Sequence, residues 1–264
     1  MPVMLDLQVS PPPVLPPATA APDAALHVRW ARDEADVRAA QRLRHRVFVE
    51  ELGARPAAQT LPRGTPPGHD ADLFDAFCEH LLVCADDQVV GTYRVLTPDA
   101  ARRAGGGYTE TEFDLTRLRA LRSAQEEAGR ASVHPDWRHG GTILALWGAL
   151  AAFMQRNGLH TMIGCASVGM RDGGHFAADL WLQLAATHLA PIEHHVRPRL
   201  PLPVQALGTG RAVEPPPLLK GYLRCGARLL GPPAWDPDFG TADLPLMLRL
   251  ADLPARYRRH FLTP

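Results

Sequence analysis

The stretch RASVHPDWRHGGTILALWGALAAF, residues 130–153, runs from a short apolar segment through an arginine and a glycine pair into a long apolar run. Its pattern predicts a strand over 131–134, a turn over 135–140 and a helix from 141 to about 157. Alanines, leucines and a tryptophan cover that helix nearly all round, as in a helix packed on several sides. Its first turn still presents free backbone N–H groups. Gly140 and Gly141 permit close approach and Arg138 adds positive charge, so the segment is a candidate anion seat. A glycine pair at a turn has no obligatory ligand, and the place of the segment in the chain has to decide.

Working outward, 264 residues allow one sizeable domain, or a domain with an appendage. A hydrophobic content of 46% supports a real core, and a formal net charge of zero argues against bulk attraction to nucleic acid. The basic residues are nearly all arginine, with Lys220 the single lysine. Cys78, Cys84, Cys165 and Cys225 are widely spaced with no C-x-x-C pair, which fits a reducing, cytoplasmic setting. The N-terminus lacks the unbroken apolar run of a signal peptide, and Ile143 to Phe153 is too short to span a bilayer.

Residues 1–25 are rich in Pro and Ala and read as a disordered tail. A strand over 25–31 follows, then an amphipathic helix capped by Asp33, with Val37, Ala40, Leu43 and Val47 on one face. Two strands, His80 to Ala85 and Val89 to Thr97, flank Asp86-Asp87 as a hairpin. A helix or irregular stretch over 114–122, the quoted strand and helix, a strand over 160–167 and a helix over 174–189 complete a core over 26–193. The Pro-rich segment 194–264 offers a short helix and one or two strands that complete the sheet. The order predicts an α/β fold with a mixed sheet and helices on both faces.

This order and the loop at Arg138 resemble the GNAT acyltransferase superfamily, with its mostly antiparallel sheet flanked by helices. In that fold the loop after the fourth strand seats the phosphate of an acyl carrier, which assigns Val133, Arg138, Gly140, Gly141 and Thr142 to carrier binding. Its usual pattern is R/Q-x-x-G-x-G/A; Arg138 and Gly141 match, whereas Ile143 stands at the last position. That departure favours a carrier-protein phosphopantetheine, with one phosphate, over coenzyme A.

A narrower resemblance spans residues 27–261. RLRHRVFVEELG (42–53), DLFDAFCEHLLV (72–83), VVGTYRVL (89–96), EAGRASVHPDWR (127–138), GCAS (164–167) and LLKGYLRCGARLLGPPAWDPDF (218–239) resemble the L-ornithine Nα-acyltransferase family, often labelled hemolysin-like. The resemblance implies transfer of a 3-hydroxyacyl chain from acyl carrier protein to L-ornithine, giving lyso-ornithine lipid, with no tightly bound cofactor, no metal and transient contact with the inner membrane. Acyl-homoserine lactone synthases share Arg46 and Phe48, the D-x-x-D of Asp72 and Asp75, Arg94, and the E-x-x-R of Glu127 and Arg130. The alternative is therefore the same donor with another amino acid or a lactone-type product.

Acyl transfer from a thioester requires an unprotonated amine, whereas a free amine is mostly ammonium at neutral pH. A carboxylate in a cleft can take the proton, and Glu127 is the first candidate, with His80 second. Against a base stands a structural Glu127–Arg130 pair at i,i+3. Asp72 and Asp75 either bind the δ-ammonium of ornithine or brace arginines such as Arg46 and Arg94. Arg94 or Arg130 could grip the substrate carboxylate in bidentate fashion. A backbone N–H near Val133 is the candidate oxyanion donor. His69, Asp70, Asp72, Asp75 and His80 are metal-ligand types, but their spacing fits no recognised site. Cys165 reads as a buried cysteine, and the helix after GCAS carries His175 and His188 but no tyrosine to serve as an acid. Arginines on the helix over 38–46, or Arg224 and Arg228, are candidates for docking an acidic carrier protein.

Overall fold

Ten strands and eight helices follow one another in the computed structural model, which describes residues 25–56, 61–138 and 141–262. The expected tail lies, but for its last residue, outside them, as does Gly140. Strands β1 (Leu26–Trp30), β2 (Glu79–Ala85), β3 (Gln88–Leu96), β5 (Gln125–Val133), β6 (Thr161–Gly169), β10 (Thr241–Arg249) and β8 (Arg228–Leu229) form the main sheet in that order. Strand β9 (Ala234–Asp236) also pairs with β10, and β4 (Phe113–Asp114) with β7 (Arg197–Pro198) makes a separate ribbon. All pairings between these strands are antiparallel except β5 with β6.

Helices α1 (Glu34–His45) and α3 (Tyr108–Glu112) cover one face of the sheet; α4 (Gly141–Arg156), α5 (His175–His188) and α7 (Pro217–Arg224) cover the other. Helices α2 (Pro98–Ala104), α6 (Val204–Leu207) and α8 (Ala255–Leu262) lie on connections and at the C-terminal end. The sequence-predicted hairpin forms at Asp86, whose φ of 49° is a left-handed conformation that Asp tolerates. Helix α4 begins where the apolar run begins, and its Leu146 and Leu150 join the principal core with Leu81, Val83 and Tyr93.

Two features of the sheet bear on the site, and the first differs from expectation. Strand β5 starts at Gln125, not near 131, because Gln125, Glu126 and Glu127 pair with Thr161, Met162 and Ile163. Their polar composition hides a strand that tertiary pairing enforces. In addition β10 is a full-length strand, zipped to β6 from Thr241–Gly169 to Arg249–Thr161, so the C-terminal segment supplies the strand beyond β6.

Candidate active site

Strands β5 and β6 share register only from Gln125–Thr161 to Glu127–Ile163, and beyond that point the ladder ends. Gly164 still lies close to Ala128, since a β-carbon on it would overlap the Ala128 carbonyl oxygen. Then β5 bulges. Between the Thr92–Ser132 and Arg94–Gly129 pairs, β3 has one residue and β5 has two, and Arg130 takes a φ of 53°. A bulge of this kind bends its strand and re-aims the side chains beside it. The result is a slot bounded by two strands that are each still zipped to a neighbour on the far side, β5 to β3 and β6 to β10.

The amides of the slot follow from strand alternation. His134 N–H donates to Val90 O at 2.8 Å, on the β3 side, so the Val133 N–H is turned toward the slot. Arg138 sits at the mouth, donating from Nε to Val133 O at 3.1 Å and holding Glu51 with both terminal nitrogens at 2.5 and 2.6 Å. Gly141 opens α4 beside it. The Thr142 side chain is buried against Gly91, with Oγ1 lacking a hydrogen-bond partner among the described residues, so its backbone N–H is the group left for an anion.

Register assigns the site residues to two faces. Arg94, Glu127, Ile163, Cys165, Asp243 and Asp236 share the face under α1 and α3; Tyr93, Glu126, Ala128, Met162, Leu246 and Leu248 share the other. On the first face Glu127 is half-buried and accepts the Thr109 N–H at 3.1 Å. Burial raises its carboxyl above the ordinary range, while the amides at the start of α3 and the Arg94 charge pull it back. The i,i+3 brace does not form, because Arg130 turns to Asp72 at 2.9 Å and lies over the rings of Tyr108 and Phe239 at 4.9 and 4.6 Å. Arg130 Nε is buried without a hydrogen-bond partner among the described residues.

The D-x-x-D carboxylates brace arginines. Asp75 receives Arg44 Nη1 at 3.0 Å and Arg94 Nη1 at 2.8 Å; Asp72 receives Arg94 Nη1 at 2.5 Å; Asp70 receives Arg44 Nε at 2.8 Å. Burial would raise Asp75, but Arg44 and Arg94 outweigh it and hold the group well below the usual carboxylate range. Arg46 differs from expectation here. It is exposed near His134, and Arg44, two residues earlier and 1% exposed, occupies the network instead. Helical geometry explains the exchange, since Arg44 shares a face with Gln41 and Ala40, which point at the sheet. His80 also lies in this network, 3% exposed with Nε2 against Asp75 O at 3.1 Å. Burial lowers its pKa, so it is neutral, and its enclosure leaves it a brace, not a base for an incoming amine. Among the described residues, Arg44, Arg94 and Arg130 balance the Asp cluster.

Several residues of this face were not legible in the sequence. Asp243 and Asp236 from the C-terminal segment and Glu112 from α3 meet Tyr108, whose hydroxyl donates to Asp236 at 3.0 Å. Burial first, and Asp236 and Asp243 second, push Glu112 up to about 7; burial and then Asp236 push Asp243 up to about 6. Burial, with Asp243 and Glu127 adding to it, also raises Cys165, so its thiol stays protonated and is no nucleophile. On the other face two adjoining clefts share Met162, Tyr222 and Leu248, and the second reaches Gly164 and Cys165 at the edge of the slot. The first runs under Trp147, Leu150 and Phe261 and is almost wholly apolar.

The site is thus a slot between parting strands, with a carboxylate on one face and apolar clefts on the other. The chain superposes on FeeM, an N-acyl amino acid synthase from uncultured soil microbes, with a TM-score of 0.53 at 11% identity, covering 91% of this chain and 96% of that one. It superposes on the AHL synthase LasI with a TM-score of 0.50 at 15% identity, covering 90% and 95%. The family described as Acetyltransferase (GNAT) domain matches residues 43–148. The protein is thus an acyltransferase of the GNAT fold.

Among sequence relatives, the L-ornithine N(alpha)-acyltransferase of Agrobacterium fabrum is 35% identical over 252 residues, covering 89% of this chain and 85% of the relative. That of Rhodobacter capsulatus is 35% identical over 260 residues, covering 92% and 96%. The chain belongs to the L-ornithine N(alpha)-acyltransferase family. No helix among the described residues is long and apolar enough to cross a membrane.

Proposed function

We propose that the enzyme transfers a 3-hydroxyacyl chain from the phosphopantetheine of acyl carrier protein to the α-amine of L-ornithine, releasing lyso-ornithine lipid. The observation that carries this reading is the slot at Glu127, where an amine-side carboxylate and an acyl-side channel meet at one strand. The relatives are named for ornithine acylation. A pantetheine arm entering past Arg138 would run along the Val133 N–H and lay its thioester beside Ala128, with its phosphate against the first amides of α4.

In this mechanism Glu127 takes a proton from the α-ammonium, and the free amine attacks the thioester carbonyl. A slot-facing backbone N–H of β5 beside the bulge stabilises the oxyanion of the tetrahedral intermediate. Its collapse breaks the C–S bond, the second proton of the attacking nitrogen passes to solvent, and the pantetheine thiolate leaves and takes up a proton from solvent. A raised carboxyl at Glu127 suits the task, because a base with a pKa nearer neutrality shares the proton more evenly with the amine. Arg130, whose Nε faces Asp70 at 3.6 Å without a hydrogen bond among the described residues, would grip the substrate carboxylate. Asp243, Asp236 and Glu112 would receive the δ-ammonium, whose charge relieves their mutual repulsion. The exposed Arg46 and Arg138 at the mouth would face an acidic carrier protein. Release of a lipid product implies transient contact with the inner membrane surface.

The test is incubation of the purified enzyme with 3-hydroxyacyl carrier protein and single amino acids, followed by mass spectrometry. N-acylated ornithine in excess of every other product is expected. Exclusive acylation of another amine, or a lactone product, would replace ornithine as the acceptor. The runner-up reading, an acyl-homoserine lactone-type product, shares the slot and the donor, and the same incubation separates it from ornithine acylation.

A further inference from the structure

Glu126 and Glu127 are consecutive on β5, so their side chains leave opposite faces of the sheet. Glu127 faces the amine side. Glu126 faces the acyl side, where it is 0% exposed and neither carboxyl oxygen has a hydrogen-bond partner among the described residues. Unpaired buried polar groups are uncommon and costly, and each calls for an explanation. Burial pushes this carboxyl up to about 8, so at neutral pH it is a neutral acid that can both donate and accept.

Its neighbours line the channel, although Glu126 itself lines neither cleft. Met162, its register partner on β6, lines both clefts, and Ala128, two residues on, lines the second. Tyr93, on the same face, feels the Glu126 charge, and the Tyr93 and Tyr222 hydroxyls are hydrogen-bonded to each other. A few placed polar groups in an otherwise apolar cavity fix the orientation of a ligand that carries a matching group. The position limits that group. Glu126 is one residue from the proposed base, a rise of about 3.3 Å, so whatever it bonds sits within a few atoms of the reacting carbonyl. An unsubstituted acyl chain has nothing to offer there. A full charge is a poor match for a neutral acid in an apolar wall, whereas a hydroxyl supplies a donor and an acceptor.

We propose that Glu126, with the Tyr93–Tyr222 hydroxyl pair, is a specificity-determining residue that hydrogen-bonds a hydroxyl carried by the acyl chain close to its thioester carbonyl. The inference rests on the acyl-transfer reading above and deepens it: the reading names the donor, and Glu126 is what distinguishes that donor from its plain counterpart.

The experiment uses two carrier-protein thioesters of equal chain length, one with and one without a 3-hydroxyl, at fixed ornithine. Product is measured by mass spectrometry for the wild type, Glu126→Leu and Glu126→Gln. The wild type should favour the hydroxylated donor by about 10- to 100-fold in kcat/KM, Glu126→Leu should bring the two donors to within about threefold, and Glu126→Gln should keep most of the preference. Should Glu126→Leu show no folding transition, Tyr222→Phe is measured in its place and should lower the preference by about threefold or more. A wild type that uses both donors equally, or a Leu variant with the preference intact, overturns the role of Glu126 while leaving acyl transfer to ornithine in place. No acylated amine from either donor would instead remove the acyl-transfer reading and this inference with it.

Discussion

Gly107 lies against the Glu127 carboxylate so closely that a β-carbon at Gly107 would overlap Oε2. The φ of Gly107 is −113°, which any residue can adopt, so space and not backbone freedom makes glycine necessary here. The contact lets α3 bring the Thr109 N–H onto the same oxygen. Gly107→Ala should displace Glu127 and lower kcat by about 10-fold or more while KM for the acyl donor changes little. Steady-state kinetics with a thermal melt checks it; unchanged kcat in a folded variant would show that Glu127 tolerates displacement.

Glu127→Gln retains shape and the Thr109 hydrogen bond but cannot accept a proton. Turnover should fall by about 10²- to 10⁴-fold, the usual contribution of a general base, with no loss of stability, since burial already disfavours the charged carboxylate. Product formation and Tm measured together separate this outcome from unfolding.

Arg138 reaches both Glu51 and Val133 O, so its removal alone confounds donor binding with bracing. Arg138→Ala should raise KM for the acyl donor. Glu51→Gln, which frees the guanidinium for an incoming phosphate, should lower that KM or leave it unchanged. If the two variants weaken the donor alike, Arg138 only holds the π-helical turn Arg46–Glu51 to β5.

Arg44 is 1% exposed and is the hub between Asp70 and Asp75. Arg44→Ala leaves two buried carboxylates short of their partner and should cost about 3–5 kcal/mol of stability. Arg44→Lys should recover only part of it, because a single ammonium cannot span both carboxylates as the fork does. Chemical denaturation of the three proteins gives the comparison.

Glu126 predicts a pH dependence of opposite sign to that of a salt-bridged acid. Its folded pKa of about 8 lies above its ordinary value of 4.5, so the native state holds the proton more tightly than the unfolded chain. The associated stability is complete below about pH 4.5 and is lost as pH rises to about 8, by at most about 1.4 kcal/mol for each unit of pH. Denaturation at pH 5 and pH 8 should show a smaller difference for Glu126→Gln than for the wild type. Equal differences would place Glu126 in contact with solvent or a cation.

Much of the architecture was legible because short-range patterns encode it. The apolar run after Gly141 specifies α4, alternation around Asp86-Asp87 specifies the β2–β3 hairpin, and Asp33 caps α1 through the Asp36 N–H at 3.0 Å. Glu127, Arg94, Arg130, Asp72 and Asp75 were also found in sequence, as types suited to charge chemistry and through their family pattern. What sequence could not rank was Arg44 over Arg46, because two arginines two residues apart look alike until a helix is docked.

By itself, then, the sequence determined the order of strands and helices and the residue types near the slot, since periodicity and turn chemistry act over a few residues. Only the tertiary structure decided the partners. Arg44 finds Asp70 across 26 residues, Arg130 finds Asp72 across 58, and Tyr108 finds Asp236 across 128. Strand register and burial choose such pairs, and they place the alternating Glu126 and Glu127 around one opening, because a charge removed from water must take whatever partner the packed chain presents.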